Sequence, residues 1–338
     1  MATATYLDFP YDQEIFNYKW GQLKDTTSLA LLNSGAMISS EEIREMISNG
    51  GNVYTLPFYN LLGGTEDNYD GKTDITDEEL SGSYQSGIVY GRAKSFSARD
   101  FVKDFNSGAD PEQAIINQVA NWYNIRKQAR LVKILNAIFG LPEMVSHVKN
   151  IALTTTGTVG EANKVGATTI GDATVDALGD TANDIVLAIM HSKVANNLAG
   201  LNLLQFRKYT DAQGIERQLS IADANGKTVI VTDQGTSATN ETTGEVEYTT
   251  YLLGRGALLE APAPVDVPSE KTRDAKKDGG MNYLVTRKRE TIHPNGFNWS
   301  PSTVIISPTD DQLGDTANWS LAIEDLKLIP MVKVVSNG

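Results

Sequence analysis

One long helical pattern constrains this sequence more than any other feature. Asp110-Pro-Glu-Gln113 supplies an N-cap residue, a proline at the first helical position and a capping-box glutamine, while Gly140 and Pro142 end the pattern. Between these signals run two apolar stripes, made of Ile115, Val119 and Trp122 and then of Leu131, Ile134, Leu135 and Ile138. The sequence therefore predicts a helix over residues 110–139, a rod of roughly 45 Å at 1.5 Å per residue.

Composition limits what the rest of the chain can be. With 338 residues, the chain is long enough for two or three compact lobes. The absence of cysteine excludes disulfides, thiolate metal sites and cysteine nucleophiles, so stability has to come from packing and from contacts between subunits. A formal charge of -13 argues against a broad basic surface for nucleic acid. No apolar run is long enough to span a bilayer, and the start of the sequence lacks a signal-peptide pattern.

The segments before the long helix are extended in character. The first thirty or so residues mix aromatic and polar side chains without a period, as in an arm that lies on another surface. Ser39, with Glu42 as the third helical residue, predicts the cap of a short helix that ends at Asn49-Gly-Gly51. Residues 53–59 and 87–96 have strand composition, and the acidic stretch 63–82 between them predicts a long hairpin with a solvated tip.

The segments after the long helix predict a mixed lobe. Strand-like and turn-like composition covers 151–169, and a second helix is expected over 181–199. Asn225-Gly226 between apolar runs predicts a hairpin. The remaining expectations are strands over 218–222, 228–232 and 246–253, a mobile loop over 233–244, a stiff connector over 261–264, and closing strands over 303–306 and 326–335. Together with the helix, these elements predict an α+β fold.

Five strings of residues carry a resemblance to a known family. They are Gly51-Asn-Val-Tyr-Thr-Leu-Pro-Phe-Tyr59, Ala93-Lys-Ser-Phe-Ser-Ala-Arg-Asp100 with Ser107-Gly-Ala-Asp-Pro111, Ala188-Ile-Met-His-Ser-Lys-Val194, Tyr248-Thr-Thr-Tyr-Leu-Leu-Gly254 and His293-Pro-Asn-Gly-Phe-Asn-Trp299. In this order and spacing, the chain resembles major capsid proteins of tailed bacteriophages, those of siphophages, over nearly its whole length.

The resemblance implies the Hong Kong 97-like capsid fold and its division into parts. We expect an N-terminal arm over 1–50 and an extended hairpin loop over 51–100. A peripheral domain is expected over 101–169 and 291–338, built on the spine helix 110–139, and an axial domain over 170–290. The loop 233–244 is then expected near a capsomer axis, with the hairpin tip on a neighbouring subunit.

The function that the resemblance implies is structural. Such subunits form pentamers and hexamers of an icosahedral head that encloses double-stranded DNA without sequence-specific binding. We expect a virion protein that is assembled in the bacterial host cytoplasm, with copies of itself, a scaffolding protein and a portal as partners, and with no cofactor and no membrane. Because no helical scaffolding segment precedes the arm, the scaffold is expected to be a separate protein if this is the encoded chain; in a processed chain the segment has been removed.

Two alternatives stay open at this point. An encapsulin-type compartment has the same fold and would carry a groove for its cargo protein. A phage tail-associated hydrolase or carbohydrate-binding module belongs to a different class, and a hydrolase requires titratable residues gathered in one pocket. The sequence offers no P-loop, no Gly-x-Ser-x-Gly and no HExxH spacing for its three histidines, so it predicts no catalytic, cofactor or metal residues.

Several charged residues have two interpretations. The spacing from Glu66 to Asp77 approaches a calcium loop but departs from it at both ends, which favours a solvated acidic tip. Lys72 is an ordinary surface lysine or, as in some relatives, the lysine of a crosslink to an asparagine next door. The basic residues of 271–289 face DNA, a scaffold or acidic residues of another subunit. The subunit-interface candidates are Tyr54, Phe58, Glu66, Asp70, Lys72, Tyr90, Arg92, Arg273, Arg287 and Arg289.

Overall fold

The computed structural model describes most of the chain from residue 34 onward. The described residues are 5–6, 9–10, 31, 34–48, 50–60, 62, 64–72, 74–99, 111–166, 168–210, 216–224, 227–323 and 325–338. Most of the expected N-terminal arm, the cap residue Asp110 and the turn Asn225-Gly226 lie outside them.

The described residues form five α-helices and nineteen strands. The helices are α1 (Glu41–Ser48), α2 (Pro111–Ile138), α3 (Thr169–Leu178), α4 (Ser192–Gly200) and the short α5 (Asp310–Leu313). The strands are β1 (Thr5–Tyr6), β2 (Phe9–Pro10), β3 (Met37–Ser39), β4 (Val53–Tyr59), β5 (Gly82–Ile88), β6 (Tyr90–Arg99), β7 (Val148–Asn150), β8 (Ile185–Met190), β9 (Gln205–Thr210), β10 (Glu216–Ala224), β11 (Lys227–Val231), β12 (Ser237–Thr239), β13 (Val246–Gly254), β14 (Leu258–Ala263), β15 (Ser269–Asp274), β16 (Met281–Pro294), β17 (Phe297–Trp299), β18 (Trp319–Leu321) and β19 (Met331–Ser336). No helix among the described residues is long and apolar enough to cross a membrane.

The predicted long helix is confirmed as α2, which has 28 residues. Its C-terminal half is buried along one side, through Leu131, Ile134, Leu135 and Ile138. Beyond it the amide of Gly140 donates to the carbonyl of Ala137 at 3.1 Å, a tighter turn that ends the helix where the sequence predicts. The helix is the central rod against which both large sheets pack.

The larger sheet, which we call sheet I, has the strand order β7-β19-β13-β8-β11-β10-β9, with β12 beside β13. Strand β8 runs parallel to β11 and antiparallel to β13. Because successive side chains of a strand point to opposite faces, Leu187 and Ile189 join the core around α2, whereas Ala188 and Met190 join the core formed with α3 and α4. Sheet I is therefore covered on both faces at its centre.

The second sheet, sheet II, is organised by the 14-residue strand β16. One edge of β16 pairs with β15 and then with β14, and the other edge pairs with β6 over Met281–Glu290. Strand β3 adds to β14 in parallel. A smaller core lies where Ile43 and Ile47 of α1 meet Tyr54 of the hairpin and Ala261 of β14.

The hairpin differs from the sequence prediction in its second strand. Strand β4 pairs with β5, from Val53 opposite Ile88 to Tyr59 opposite Gly82, so the predicted strand 87–96 was wrong at its start. The chain leaves the hairpin at Val89 and enters sheet II as β6, which leaves a tip of residues 60–81. Gly87 is required here, because a Cβ at this position would lie 2.3 Å from the ring of Tyr54.

The predicted helix over 181–199 was wrong in its first half. Residues 185–190 form β8, and helix α4 begins only at Ser192. A short run of apolar residues fits a strand buried on both faces as well as it fits a buried helix, so periodicity alone could not decide. Similarly, the strand-like composition of 151–169 gives irregular chain with one short 3-10 turn, Glu161–Asn163.

The predictions for the following strands are largely confirmed. Residues 218–222 lie within β10, 246–253 lie within β13, and all but the last of 228–232 lie within β11. Ala224 pairs with Lys227, which leaves the two residues that a tight hairpin needs. The loop 233–244 was predicted to be mobile; it contains the short strand β12, whose Ala238 pairs with Glu247.

Three smaller predictions need correction. The connector 261–264 is largely part of strand β14, and residues 303–306 are not a strand. The cap of α1 is Ser40 rather than Ser39, since the Ser40 hydroxyl accepts a hydrogen bond from the amide of Ile43 at 3.3 Å. Of the predicted strand 326–335, the first three residues form a 3-10 turn and β19 begins at Met331.

The expected division into lobes stays a prediction. Strands β7 and β19 belong to the expected peripheral domain, yet both hydrogen-bond within sheet I, most of whose strands come from 170–290. Conversely, β15 and most of β16 fall in the expected axial domain but form sheet II with β6. Each of the two sheets therefore combines strands from both expected domains.

We expect Val119→Pro to unfold the subunit or to lower its stability by roughly 3 kcal/mol or more, because proline removes a helix hydrogen bond and clashes with the preceding turn. Val119 is buried within α2. Thermal melting followed by circular dichroism measures the effect, and Asn121→Ala on the exposed side of the helix is the control. Unchanged melting of the proline variant would contradict the helix assignment.

Candidate assembly surfaces

Arg130 lies on the buried face of α2 and holds three parts of the chain together. Its Nη1 donates to Glu290 of β16 at 3.1 Å, and its Nε donates to Asp310 of α5 at 2.8 Å. The side chains of Arg130 and Glu290 are only 4% and 6% exposed. Because a buried charge without a partner is costly, both side chains have to be held in this arrangement.

The same acids receive further donors, forming a cluster that we call the ion-pair node: Tyr90, Arg92, Arg130, Lys288, Glu290 and Asp310. Arg92 of β6 donates to Asp310 at 2.6 Å, and Lys288 lies 2.6 Å from Glu290. The guanidinium groups of Arg92 and Arg130 lie 5.0 and 4.8 Å from the centre of the Tyr90 ring, within the range of a cation–π contact. Lys127 forms a separate ion pair with Glu260 one turn earlier on α2.

The node determines the charge states of its acids. Burial alone would raise the pKa of Glu290, but the charges of Lys288, Lys127 and Arg130 outweigh it, so the pKa lies below its ordinary value. Burial also opposes ionisation of Asp310, and the hydrogen bonds from Arg130 and Arg92 again leave the pKa lowered. Both carboxylates are therefore ionised at neutral pH and bind their cations as charged groups.

The base of the hairpin is fixed to sheet II. The hydroxyl groups of Tyr54 and Thr291 are 2.9 Å apart, and Arg289 donates to the carbonyl of Gly51 at 3.0 Å and to Asn52 Oδ1 at 2.8 Å. Beyond these contacts, the amide of Ser86 donates to Asn298 at 2.8 Å. The direction in which the hairpin leaves the subunit is thus set by its first few residue pairs.

The hairpin tip, residues 60–81, lies in solvent. Tyr69 is 92% exposed and Ile75 is 75% exposed. Order within the tip comes from Asp67, which accepts hydrogen bonds from the amide and hydroxyl of Thr76 at 2.6 and 2.7 Å; these bonds lower the pKa of Asp67. An ordered loop that exposes large apolar side chains is typical of a surface that another protein covers.

The interface candidates fall into two groups. Tyr54 and Tyr90 are buried inside the subunit, and Arg92 and Arg289 are half-buried with partners in their own chain. On the surface are the other candidates: Phe58 is half-buried on the hairpin, Glu66, Asp70 and Lys72 are exposed on the tip, Arg273 is exposed on β15, and Arg287 of β16 pairs with Glu270 at 3.0 Å. The two groups do not come together at a single site in the subunit.

The described residues offer little support for a metal site. They contain no group of three or more His, Asp or Glu side chains placed to hold an ion. In the tip, Asp70 Oδ1 accepts the amide of Lys72 at 2.8 Å, which is the geometry of a turn. Of the histidines, His191 caps α4 by accepting the amide of Lys193 at 3.0 Å, and burial lowers the pKa of His293 to about 4.

The sequence analysis missed the node, although it contained a signal for it. Arg130 is spaced by four and eight residues from Ile134 and Ile138, so it shares their buried face and requires an anionic partner there. No pattern in the sequence identified that partner, because Glu290 and Asp310 are 160 and 180 residues away along the chain.

Comparisons with known proteins agree on one kind of relative. The model of the family described as Gp13-like, major capsid protein 13-like, matches residues 129–332. The major capsid protein of Bacillus phage SPP1 is 27% identical over 310 residues, which cover 90% of this chain and 91% of that relative.

Solved structures with the same fold are likewise capsids. The capsid of Ralstonia phage GP4 gives a TM-score of 0.58 at 12% identity, covering 91% of this chain and 88% of that chain. The capsid asymmetric unit of cyanophage Pam1 gives 0.54 at 12% identity, with 86% of each chain covered. Both likenesses confirm the predicted α+β fold of the Hong Kong 97-like type.

We expect Arg130→Ala to destabilise the subunit by roughly 3 to 5 kcal/mol, because the buried Glu290 would lose its guanidinium partner on α2. Chemical denaturation of the unassembled subunit measures the loss. Lys133→Ala is the matched control on the same helix: its ion pair with Asp311 is exposed, and such pairs contribute about 0 to 1 kcal/mol. Equal effects of the two substitutions would contradict a structural role for the node.

We expect subunit stability to fall as the pH drops below the ordinary pKa values of 4.5 for Glu290 and 3.8 for Asp310. A carboxylate with a lowered folded-state pKa stabilises the fold above its unfolded pKa, and this contribution is lost as the pH falls through the folded value. Unfolding free energies between about pH 2 and 6 give the profile. Asp310→Asn should flatten it, whereas Asn at the exposed Asp311 should not; identical profiles would exclude Asp310 as a cause.

Proposed function

The chain belongs to the Gp13-like major capsid protein family, and from that membership we propose that its copies form pentamers and hexamers that close an icosahedral phage head around double-stranded DNA. As a major capsid protein it is a structural subunit and not an enzyme, so the alternative of a tail-associated hydrolase was wrong. The match to capsid proteins over most of the chain also favours a phage head over an encapsulin-type compartment.

The observation that carries the proposal is the exposed hairpin tip. Its side chains from Leu62 to Leu80 are exposed wherever they are described, and they include Tyr69 and Ile75. A two-stranded ribbon has too little core to be stable alone in water, and here only its base packs on the subunit. In a closed shell, each tip lies on the next subunit, which covers the apolar side chains.

The proposed partners are the molecules that a shell subunit contacts during assembly of the head. Copies of the same chain are the main partner. A scaffolding protein guides curvature, and a portal occupies one vertex. The DNA is enclosed without sequence-specific contacts, which the formal charge of -13 supports, because an acidic lining does not bind phosphate tightly. Assembly takes place in the bacterial host cytoplasm, and the product is the virion capsid.

The proposed parts of the subunit are those that the resemblance implies. The N-terminal arm comprises 1–50 and the extended loop 51–100. The peripheral domain comprises 101–169 and 291–338, and the axial domain comprises 170–290. Within this scheme, the ordered loop 233–244 faces a capsomer axis. The surface candidates for contacts between subunits are Phe58, Glu66, Asp70, Lys72, Arg273 and Arg287.

Replacing residues 60–81 with Asn-Gly tests the proposal. Tyr59 pairs with Gly82, so two residues close the strands in a tight turn and the subunit should keep its melting temperature. Assembly should fail or give irregular particles, because the hairpin no longer reaches a neighbour. Melting of the subunit and particle yield by electron microscopy are measured together.

A second variant controls for chain length. Here 60–81 is replaced by a Gly/Ser linker of the same number of residues, which preserves reach but removes the side chains. We expect this variant to fail in assembly as well. Normal shells from the Asn-Gly variant would refute the role of the tip, and a collapsed melting temperature would mean that the tip stabilises the subunit itself.

A further inference from the structure

Burial of the hairpin against its own subunit ends at one cross-strand pair. Strands β4 and β5 form seven pairs, and the fourth from the base is Leu56 opposite Gln85. Both side chains are buried, with 6% and 8% of their surface exposed. The following pair, Pro57 opposite Tyr84, is exposed, and none of the described residues between them is buried. The hairpin therefore has a held part up to Leu56 and Gln85 and a free part beyond them.

Different forces hold the two members of this pair. Leu56 belongs to the small apolar core that Tyr54 and Ile47 share. Apolar burial is non-directional, so it resists separation of the ribbon from the subunit more than it resists rotation. Gln85 makes directional contacts instead: its Oε1 accepts the amide of Gly296 at 2.9 Å, and its Nε2 donates to Oδ1 of Asn295 at 3.2 Å. Two hydrogen bonds from one planar amide fix the orientation of the ribbon at this point.

The turn that receives Gln85 is itself firmly held. It joins β16 to β17, and its Asn295 amide donates to the carbonyl of Ala257 at 2.9 Å, while the carbonyl of Gly296 accepts the amide of Ala322 at 2.9 Å. Gly296 has a φ of 92°, and a Cβ there would lie 3.2 Å from the side chain of Ile323. Only glycine fits such a position well, so the turn is a specific and rigid mount for Gln85.

A second link lies one residue nearer the base. The amide of Ser86 donates to Oδ1 of Asn298 at 2.8 Å, and its hydroxyl donates to the carbonyl of Trp299 at 3.2 Å. Strand β5 is thus braced against the turn and β17 at two successive residues. Gln85 is the outer of the two, and it is the one at which the held part of the hairpin ends.

We propose that Gln85 is a positioning residue for assembly, the pivot that sets the direction in which the free part of the hairpin leaves the subunit. Beyond it lie three more residue pairs, roughly 10 Å of ribbon at 3.3 Å per residue, and then the tip 60–81. A small rotation at Gln85 therefore becomes a larger displacement of the tip. The consequence for the shell rests on the proposed function, whereas the pivot is a property of the single subunit.

Spin labelling tests the pivot, because the chain has no cysteine of its own. Tyr59→Cys at the end of β4 and Val175→Cys on α3 place two labels at exposed positions, and pulsed electron paramagnetic resonance gives the distribution of distances between them in the unassembled subunit. Gln85→Met retains the length of the side chain but removes both hydrogen bonds, so the distribution should broaden. Thr55→Val, a polar-to-apolar change at an exposed position of the same ribbon, is the matched control and should leave it unchanged.

A second label pair distinguishes a pivot from general loosening. Val53→Cys with Val175→Cys places the first label at the base of the hairpin, where Gln85→Met should not broaden the distribution. Equal broadening for both label pairs, or none for the Tyr59 pair, would overturn the proposal.

Substitutions of the partner residue provide a rescue test. Asn295→Asp keeps the oxygen that accepts from Gln85 and should preserve the narrow distribution of the Tyr59 label pair, whereas Asn295→Leu removes that oxygen and should broaden it. The same broadening from both substitutions would show that the hydrogen bond does not set the direction.

Assembly with the scaffold gives the readout in the shell. Gln85→Met should yield particles of mixed diameter by electron microscopy, whereas Thr55→Val should yield uniform ones. Thermal melting verifies that each variant folds, and Asn295→Leu takes the place of Gln85→Met if that variant does not. If the unsubstituted chain forms no particles, the proposed function fails while the label distances still decide the pivot. Uniform shells of ordinary diameter from a variant with a broadened distribution would overturn the positioning role and leave the function standing.

Discussion

The buried ion pair between Arg130 and Glu290 is the interaction on which the rest of the subunit depends. It joins the central helix to the strand that organises sheet II, and Asp310 extends it to the C-terminal part of the chain and, through Arg92, to the strand that leads out of the hairpin. Well-packed apolar residues in place of a buried ion pair often give equal stability, since buried ion pairs carry a large desolvation cost. What the charges add is geometry: the planar guanidinium of Arg130 donates to both carboxylates along fixed N–H directions, and this constrains the orientation of helix, sheet and hairpin.

This arrangement divides the described subunit into a part that packs on α2 and a hairpin whose tip is exposed. Sheet I and sheet II pack on α2 through one continuous core. The hairpin shares a small core at its base, and none of the described residues of its tip belongs to a core. Fixed angles matter most for such an element, because a small error at the base becomes a large displacement at the end of a long ribbon. The node therefore holds the strand that leads out of the hairpin in a fixed position against α2.

Sequence reasoning recovered the elements whose signals are local. The C-terminal end and the second apolar stripe of α2, the antiparallel pairing of β10 with β11 and the acidic tip all depend on neighbouring residues, and the structure contains each of them. It failed where the decision is made by tertiary contacts. Residues 185–190 look equally helical or extended until β11 and β13 flank them. The strand after the hairpin was placed wrongly because Val89, where the chain changes sheets, has no distinctive composition. Glu290 and Asp310, the partners of Arg130, lie 160 and 180 residues further along the chain. No local pattern could therefore connect them with Arg130.

Strand β16 limits where insertions and deletions can occur in sequences of this family. It pairs with three strands, and its alternate residues serve opposite faces, with Glu290 in the node and Arg289 at the hairpin base. Insertion of a single residue would exchange these faces, placing Arg289 against Arg130 and turning Glu290 outward. Insertions and deletions should thus be excluded from the interior of β16 in related sequences, while the turn before it and the hairpin tip are free to vary in length. The pairing register of β16 is therefore a constraint on the sequence, whereas exposed segments such as the hairpin tip can change.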